Sequence, residues 1–162
     1  MGKAANVRHF FTKVAGVTHD NDDGTSRQEI IRRCRLMEKL TLDHAEGNPH
    51  DPNAVRVCRE NGEQLGFLSA ELAEEVVSRS NRGYRYAAFV KDITGGIASA
   101  PTQGVNLLII VAAPGVSLAE AQQYATSLEL GPQPKKSGCA GLLAAGLLAI
   151  VVAAVRFALY QN

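Results

Sequence analysis

No single sign of charge dominates this chain: 17 Lys and Arg stand against 16 Asp and Glu, a formal net charge of +1 at pH 7. That balance excludes the bulk electrostatics by which a strongly basic protein coats nucleic acid or an acidic surface. Local clusters remain, in Arg27, Arg32, Arg33, Arg35 and Lys39 and again in Arg79, Arg82 and Arg85. Cysteine is scarce. Cys34, Cys58 and Cys139 form no C-x-x-C pair and no even set, so no disulfide framework is expected. With no secretory signal in front, a reducing compartment is the natural expectation. "MGKAAN" places Asn at position 6, where N-myristoylation needs Ser or Thr.

Catalytic signatures are lacking too. There is no H-E-x-x-H, no G-x-S-x-G and no G-x-G-x-x-G after a strand. Gly141 and Gly146 stand at Walker spacing, but Leu147 replaces the lysine, so no phosphate loop is expected. "HDNDDG" resembles a calcium loop only superficially. Aligning Gly24 with the turn glycine puts His19 at the first ligand and Ile30 at the twelfth, where a bidentate Glu is required. His9, His19, His44 and His50 have no ligand spacing on one element. No metal, no cofactor and no enzyme activity are expected.

What is present is room for one ordinary domain and an appendage in 162 residues. The appendage is "GCAGLLAAGLLAIVVAAV", Gly138 to Val155, 18 residues without a charge. As a helix it spans about 27 Å, near the ~30 Å of a hydrocarbon core. Phe157, Leu159 and Tyr160 extend it if Arg156 snorkels. Lys135 and Lys136 precede it and favour a cytoplasmic N-terminal side. The layout predicts a tail anchor in the lipid bilayer: a single-pass membrane protein with its N-terminal domain in the cytoplasm. Gly141, Ala145, Ala149 and Ala153 recur every four residues and could let two such helices approach.

The organisation follows from hydrophobic period and punctuation. Residues 8–17 read as a strand, then a loop, then a helix opened by a capping box of Ser26 and Glu29. "KLTL" (39–42) is a short strand, and "AVRVCR" and "QLGFL" form a hairpin around Asn61-Gly62. Residues 70–80 read as a helix with Leu72, Ala73, Val76 and Val77 on one face. "YRYAAFVKDI" and "GVNLLIIVAA" are the last strands, and Ser117 with Glu120 caps a short final helix. The order β-α-β-β-β-α-β-β, without a βαβ repeat, predicts a mainly β (α+β) fold. That fold is a small, partly open, OB-like β-barrel with two or three short helices plugging its ends, plus a C-terminal transmembrane helix. The expected divisions are an N-terminal arm 1–8, a barrel domain 9–113, a short helix 114–130, a linker 131–137 and a transmembrane helix 138–160.

Between the second and third strands lies "NPHDPNAVRV", residues 48–57, far more rigid and polar than a plain turn requires. Asn48, Asp51 and Asn53 suit Asx turns that bond their own backbone, and Pro49 and Pro52 stiffen the chain. The same loop, followed by "GFLSAELA" and preceded by "FTKVAGVTHDNDDGTSRQEIIRR", resembles the HIRAN domain family. With "YAAFVKDITGG" after them, four such stretches occur in order, across roughly residues 9–112.

That resemblance implies an OB-like barrel that captures single-stranded DNA at its 3′ end. In eukaryotes such modules accompany ATPases that remodel stalled replication forks in DNA repair, whereas here no helicase motif accompanies the domain, as in stand-alone bacterial and phage members. Carried over by position, His19 and His50 fall where the family stacks tyrosines on bases. Asn48 and Asp51 match residues that touch the end nucleotide, and Phe67 matches a residue lining the pocket. Thr18 and Ala70 stand where members that bind DNA carry cations, which Arg27, Arg56 or Arg59 would have to replace. Two functions are therefore expected: a membrane-tethered module that binds DNA ends, or an adaptor whose barrel edge takes a peptide or protein partner.

Overall fold

The computed structural model describes residues 6–129, and the expectations for the linker and the tail lie outside the described residues. In chain order the elements are β1 (Val7–Lys13), α1 (Arg27–Arg32), β2 (Lys39–His44), β3 (Val55–Arg59), β4 (Gln64–Phe67), α2 (Ala70–Ser80), β5 (Arg85–Thr94), β6 (Gly104–Ala112) and α3 (Leu118–Glu129). The strands make one antiparallel sheet of six in the order β1-β6-β5-β2-β3-β4. This is the mainly β architecture with short helices that the pattern predicts.

The sheet curls until the chain just beyond β1 reaches β4. Ala15 bridges Phe67, donating from N to O at 2.8 Å and accepting from Phe67 N at 3.0 Å. β1 therefore stops at Lys13, short of the expected residue 17. Val14 donates to Val105, and Ala15 then bends across to β4. Closure demands glycine at position 66, where φ is +155° and a Cβ would stand inside the Ala15 carbonyl oxygen.

Alternation decides what fills the barrel. Val105, Leu107, Ile109 and Val111 of β6 point inward, beside Val55, Val57, Leu65 and Val90. Ile30, Ile31 and Cys34 from α1 and the turn after it, with Ala73 and Val76 from α2, complete that core. The opposite face of β6 is also buried. Leu108, Ile110 and Ala112 join Val7, Ala87 and Phe89 in a second cluster, covered by Val116, Ala121, Tyr124 and Leu128. The last helix thus lies on the outside of the β1-β6-β5 wall rather than plugging an end. Its placement is fixed by need: exposing buried Leu, Ile or Phe costs about 1.5–3 kcal/mol each. His9 and Tyr124 join β1 to α3 through a 2.7 Å hydrogen bond.

Helix starts divide the two predicted capping boxes. At Ser117 the box forms: the Glu120 carboxylate accepts from Ser117 N at 3.0 Å, and Glu120 N donates to Ser117 Oγ at 3.2 Å. At Ser26 the expectation is corrected, because its side chain makes no cap bond. The backbone of Ser26 is instead bridged to Asp20, and the preceding loop is tied up by its own side chains. The helix over residues 70–80 has the predicted bounds. The Asn61-Gly62 hairpin closes with Gly62 at φ +89° and Arg59 N bonded to Glu63 O.

Candidate functional site

Cross-strand register places two of the candidate residues, Arg56 and Phe67, on the outer face of β2, β3 and β4. Asp43 pairs with Arg56, and Arg56 pairs with Phe67, so these three stand in one row. Further along, past a β-bulge at Val57/Cys58, Thr41, Cys58 and Gln64 make a second row. Phe67 is half-buried, and the Arg27 guanidinium lies over its ring at 5.2 Å from the centroid.

Arg27 reaches that place from α1 as a buried residue, only 7% exposed. Its Nε donates to Asn21 Oδ1 at 2.6 Å, and Nη1 donates to the Gly16 carbonyl at 2.8 Å. Asn21 in turn donates from Nδ2 to the Gln64 carbonyl at 3.0 Å, tying the loop to β4. Burial pushes the Arg27 pKa down, with Asp22 and Asp20 opposing the shift. Gly16 is required here, since its φ is +71° and a Cβ would come within 3.0 Å of Arg27 Nη1. His19 is exposed and packs beside Gly16, within the same loop. Arg27 thus supports the ring of Phe67 and the loop of His19 rather than projecting into solvent.

Asn48, His50 and Asp51 lie on the β2–β3 loop, whose base is pinned by Ala45 N donating to Ala54 O at 2.8 Å. Consecutive Asx turns hold it. Asn48 Oδ1 accepts from the backbone N of His50 at 2.9 Å and of Asp51 at 3.2 Å, and Asp51 Oδ1 accepts from Asn53 N at 2.8 Å. His44 Nε2 adds a 2.8 Å bond with Pro52 O. The polar residues of "NPHDPN" shape the loop through their own backbone, and this leaves the exposed His50 ring presented to solvent.

Register pairs Arg56 with Phe67, the Arg27 guanidinium lies over the same ring, and the loop of His50 enters β3 at Val55, next to Arg56. Arg59 lies elsewhere: it binds Glu38 at 2.6 Å and Glu63 at 2.7 Å. Arg33 and Lys39 from the same sequence cluster are paired with Glu63 and Glu60. Sequence reading missed Asn21, Asp43, Thr41 and Gln64. Outward alternation in β2 was a signal for Thr41 and Asp43, but only register shows what stands beside them.

Residues 7–105 match the family described as HIRAN domain. The chain belongs to this family. Among solved structures, it is similar to the crystal structure of the HIRAN domain of human HLTF. Identity there is 19%, covering 78% of this chain and 92% of that one, with a TM-score of 0.49. A Lactobacillus plantarum protein is similar at 16% identity over 64% of this chain and 97% of that one, with a TM-score of 0.48. No curated protein matches the chain. The HIRAN match ends at the start of β6, at residue 105, so most of that strand and all of α3 lie beyond it. Among the described residues of this HIRAN domain, no group of three or more His, Cys, Asp and Glu is placed to hold a metal, and no helix is long and apolar enough to cross a membrane.

Proposed function

We propose that this HIRAN protein is a nucleic-acid-binding module without catalytic activity of its own, which captures single-stranded DNA by its 3′ end. The supporting observation is the outer-face row of Phe67 and Arg56, with Arg27 buttressing the ring. An aromatic face supported from below, with the Arg56–Asp43 pair at its side, is a surface on which a terminal base can stack. The exposed rings of His50 and His19 serve as stacking partners in place of larger aromatics. The rigid loop of residues 48–53 forms the wall that stops the polymer at its end. We further infer that residues 138–160 tether the module to a membrane with the barrel on the cytoplasmic side, supported by the uncharged run that follows Lys135 and Lys136.

The test is fluorescence anisotropy of the full chain, kept in mild detergent, with labelled single-stranded DNA bearing a free or a blocked 3′-hydroxyl over a salt series. Blocking the end should weaken binding. His50→Ala and Phe67→Ala should each lower affinity by about 1–3 kcal/mol, the worth of one stacked base. Binding that falls with salt but ignores the end would leave a generic cationic surface. Absence of binding at low salt would sink the reading and turn attention to a protein partner along the open edge of β1, where Phe11 is 59% exposed.

A further inference from the structure

Among the described residues, three large apolar side chains are more than half exposed, and two of them, Phe11 and Leu36, stand at one level of the β1-β6-β5 wall. Phe11 heads the outer row Phe11–Leu108–Phe89 and is 59% exposed, with the His9 ring edge-on to it at 5.4 Å between centroids. Leu36, 61% exposed, lies in the turn between α1 and β2. The next residue, Met37, takes φ +59°, and its N–H donates to Val90 O at 2.7 Å, one residue from Phe89. That left-handed step turns Met37 onto the cluster of Phe89 and Leu108 and leaves Leu36 outside it. The conformation is costly for a long side chain, and such strain concentrates at functional sites. α3 ends at the same level. Tyr124 bonds His9, and Leu128 lies one turn on, about 6 Å along the helix, while Phe11 lies two strand residues beyond His9, about 7 Å.

We propose that this wall rests on an anionic lipid surface, with Phe11 and Leu36 in the boundary between headgroups and acyl chains and with Lys13 and Arg35 on the lipid phosphates. The inference rests on the reading of residues 138–160 as a membrane tether. The length of the connection favours this wall. α3 ends at Glu129, and eight residues, 130–137, separate it from the uncharged run. Even fully extended, they reach only about 30 Å, less than the roughly 35 Å across a domain of this size. The bilayer therefore lies nearest the wall from which the chain departs. Charge agrees with this. Lys13 is exposed in the next outer row, with Asn106 and Asp92, and exposed Arg35 directly precedes Leu36. Glu38, on the same turn, is taken up by Arg59, and Lys135 and Lys136 lie in the connection itself. Phe and Leu flanked by Lys and Arg suit the interface of an anionic bilayer. The outer face of β2, β3 and β4 lies on the opposite side of the barrel and stays turned to the cytoplasm, open to a polymer end.

The chain has no tryptophan, so a single introduced one reports its own surroundings. The experiment places the full chain in vesicles of phosphatidylcholine and phosphatidylserine, with bromine high on the acyl chains as a contact quencher. The variants are Phe11→Trp, Leu36→Trp and, on the opposite wall, Thr41→Trp, all at exposed positions that leave folding intact. Emission from Phe11→Trp and Leu36→Trp should shift to the blue and be quenched about twofold or more, as for rings sunk about 5–10 Å into the headgroup boundary. Thr41→Trp should keep its emission. Quenching should weaken in vesicles without phosphatidylserine, and equal quenching there would overturn the part given to Lys13 and Arg35. A chain that floats with the vesicles while all three tryptophans stay unquenched would overturn the lipid contact and leave the tether standing. A chain that does not float with vesicles would overturn both. A blue shift in lipid-free detergent that grows with protein concentration would assign the patch to a second copy and overturn the contact with lipid.

Discussion

Cys34 shows how a single buried group couples the fold to pH. Its Sγ sits against Ile30 O at 3.6 Å, inside the barrel core. Burial first, then the carboxylates of Glu38 and Glu63, push the thiol up to about 11 from an ordinary value of 9.0, against the lowering pull of Arg59 and Arg33. The unfolded chain therefore loses this proton before the folded one. Stability from the neutral thiol is fully present below pH 9 and is lost as pH rises through about 11. Urea midpoints measured between those pH values should fall more steeply for the wild type than for Cys34→Ala. Parallel declines would show that the thiol titrates alike in both states. The same residue scale explains Arg27. In sequence it is one arginine of a basic cluster, and only burial, Asn21 and Gly16 reveal it as the prop under Phe67.

At the scale of elements, the barrel depends on how two short segments meet. β4 has four residues, and its bond to the chain beyond β1 is one bridge, Ala15 with Phe67. Gly66 lets that bridge form. Gly66→Ala should cost more than the about 1–3 kcal/mol of ordinary overpacking, because the obstacle is backbone and cannot swing aside. Denaturant melts would read that loss directly. A cost below 1 kcal/mol would mean that β4 can shift and that closure is softer than it looks. The element pattern itself was largely legible. Alternation marked β3 and β4, period marked α2, and Ser117 with Glu120 marked the start of α3. The Ser26 box was not, since a cap motif states only what side chains can reach. Here the loop Asp20–Ser26 satisfied itself first, with Asp23 Oδ1 accepting from both Thr25 N and Thr25 Oγ1.

The whole molecule joins a folded HIRAN domain to a long apolar C-terminal run. Tethering predicts that the full chain, expressed in cells, sediments with membranes and resists alkaline extraction, while a version lacking residues 138–160 stays in the supernatant. Full-length chain in the soluble fraction would end that proposal. Within the described part, the element types, their order and most of the core follow from the amino-acid order, because hydrophobic period and turn residues act locally. The family is legible there too, since "NPHDPNAVRV" and "GFLSAELA" are contiguous strings. The tertiary structure alone decided that Phe67, Arg56 and Asp43 form one row, that Arg27 is buried beneath the ring, and that α3 covers an outer wall. Those facts depend on strand register and on curvature of the sheet. A slip of one residue sends every side chain to the opposite face, and that register is set by contacts between residues far apart along the chain.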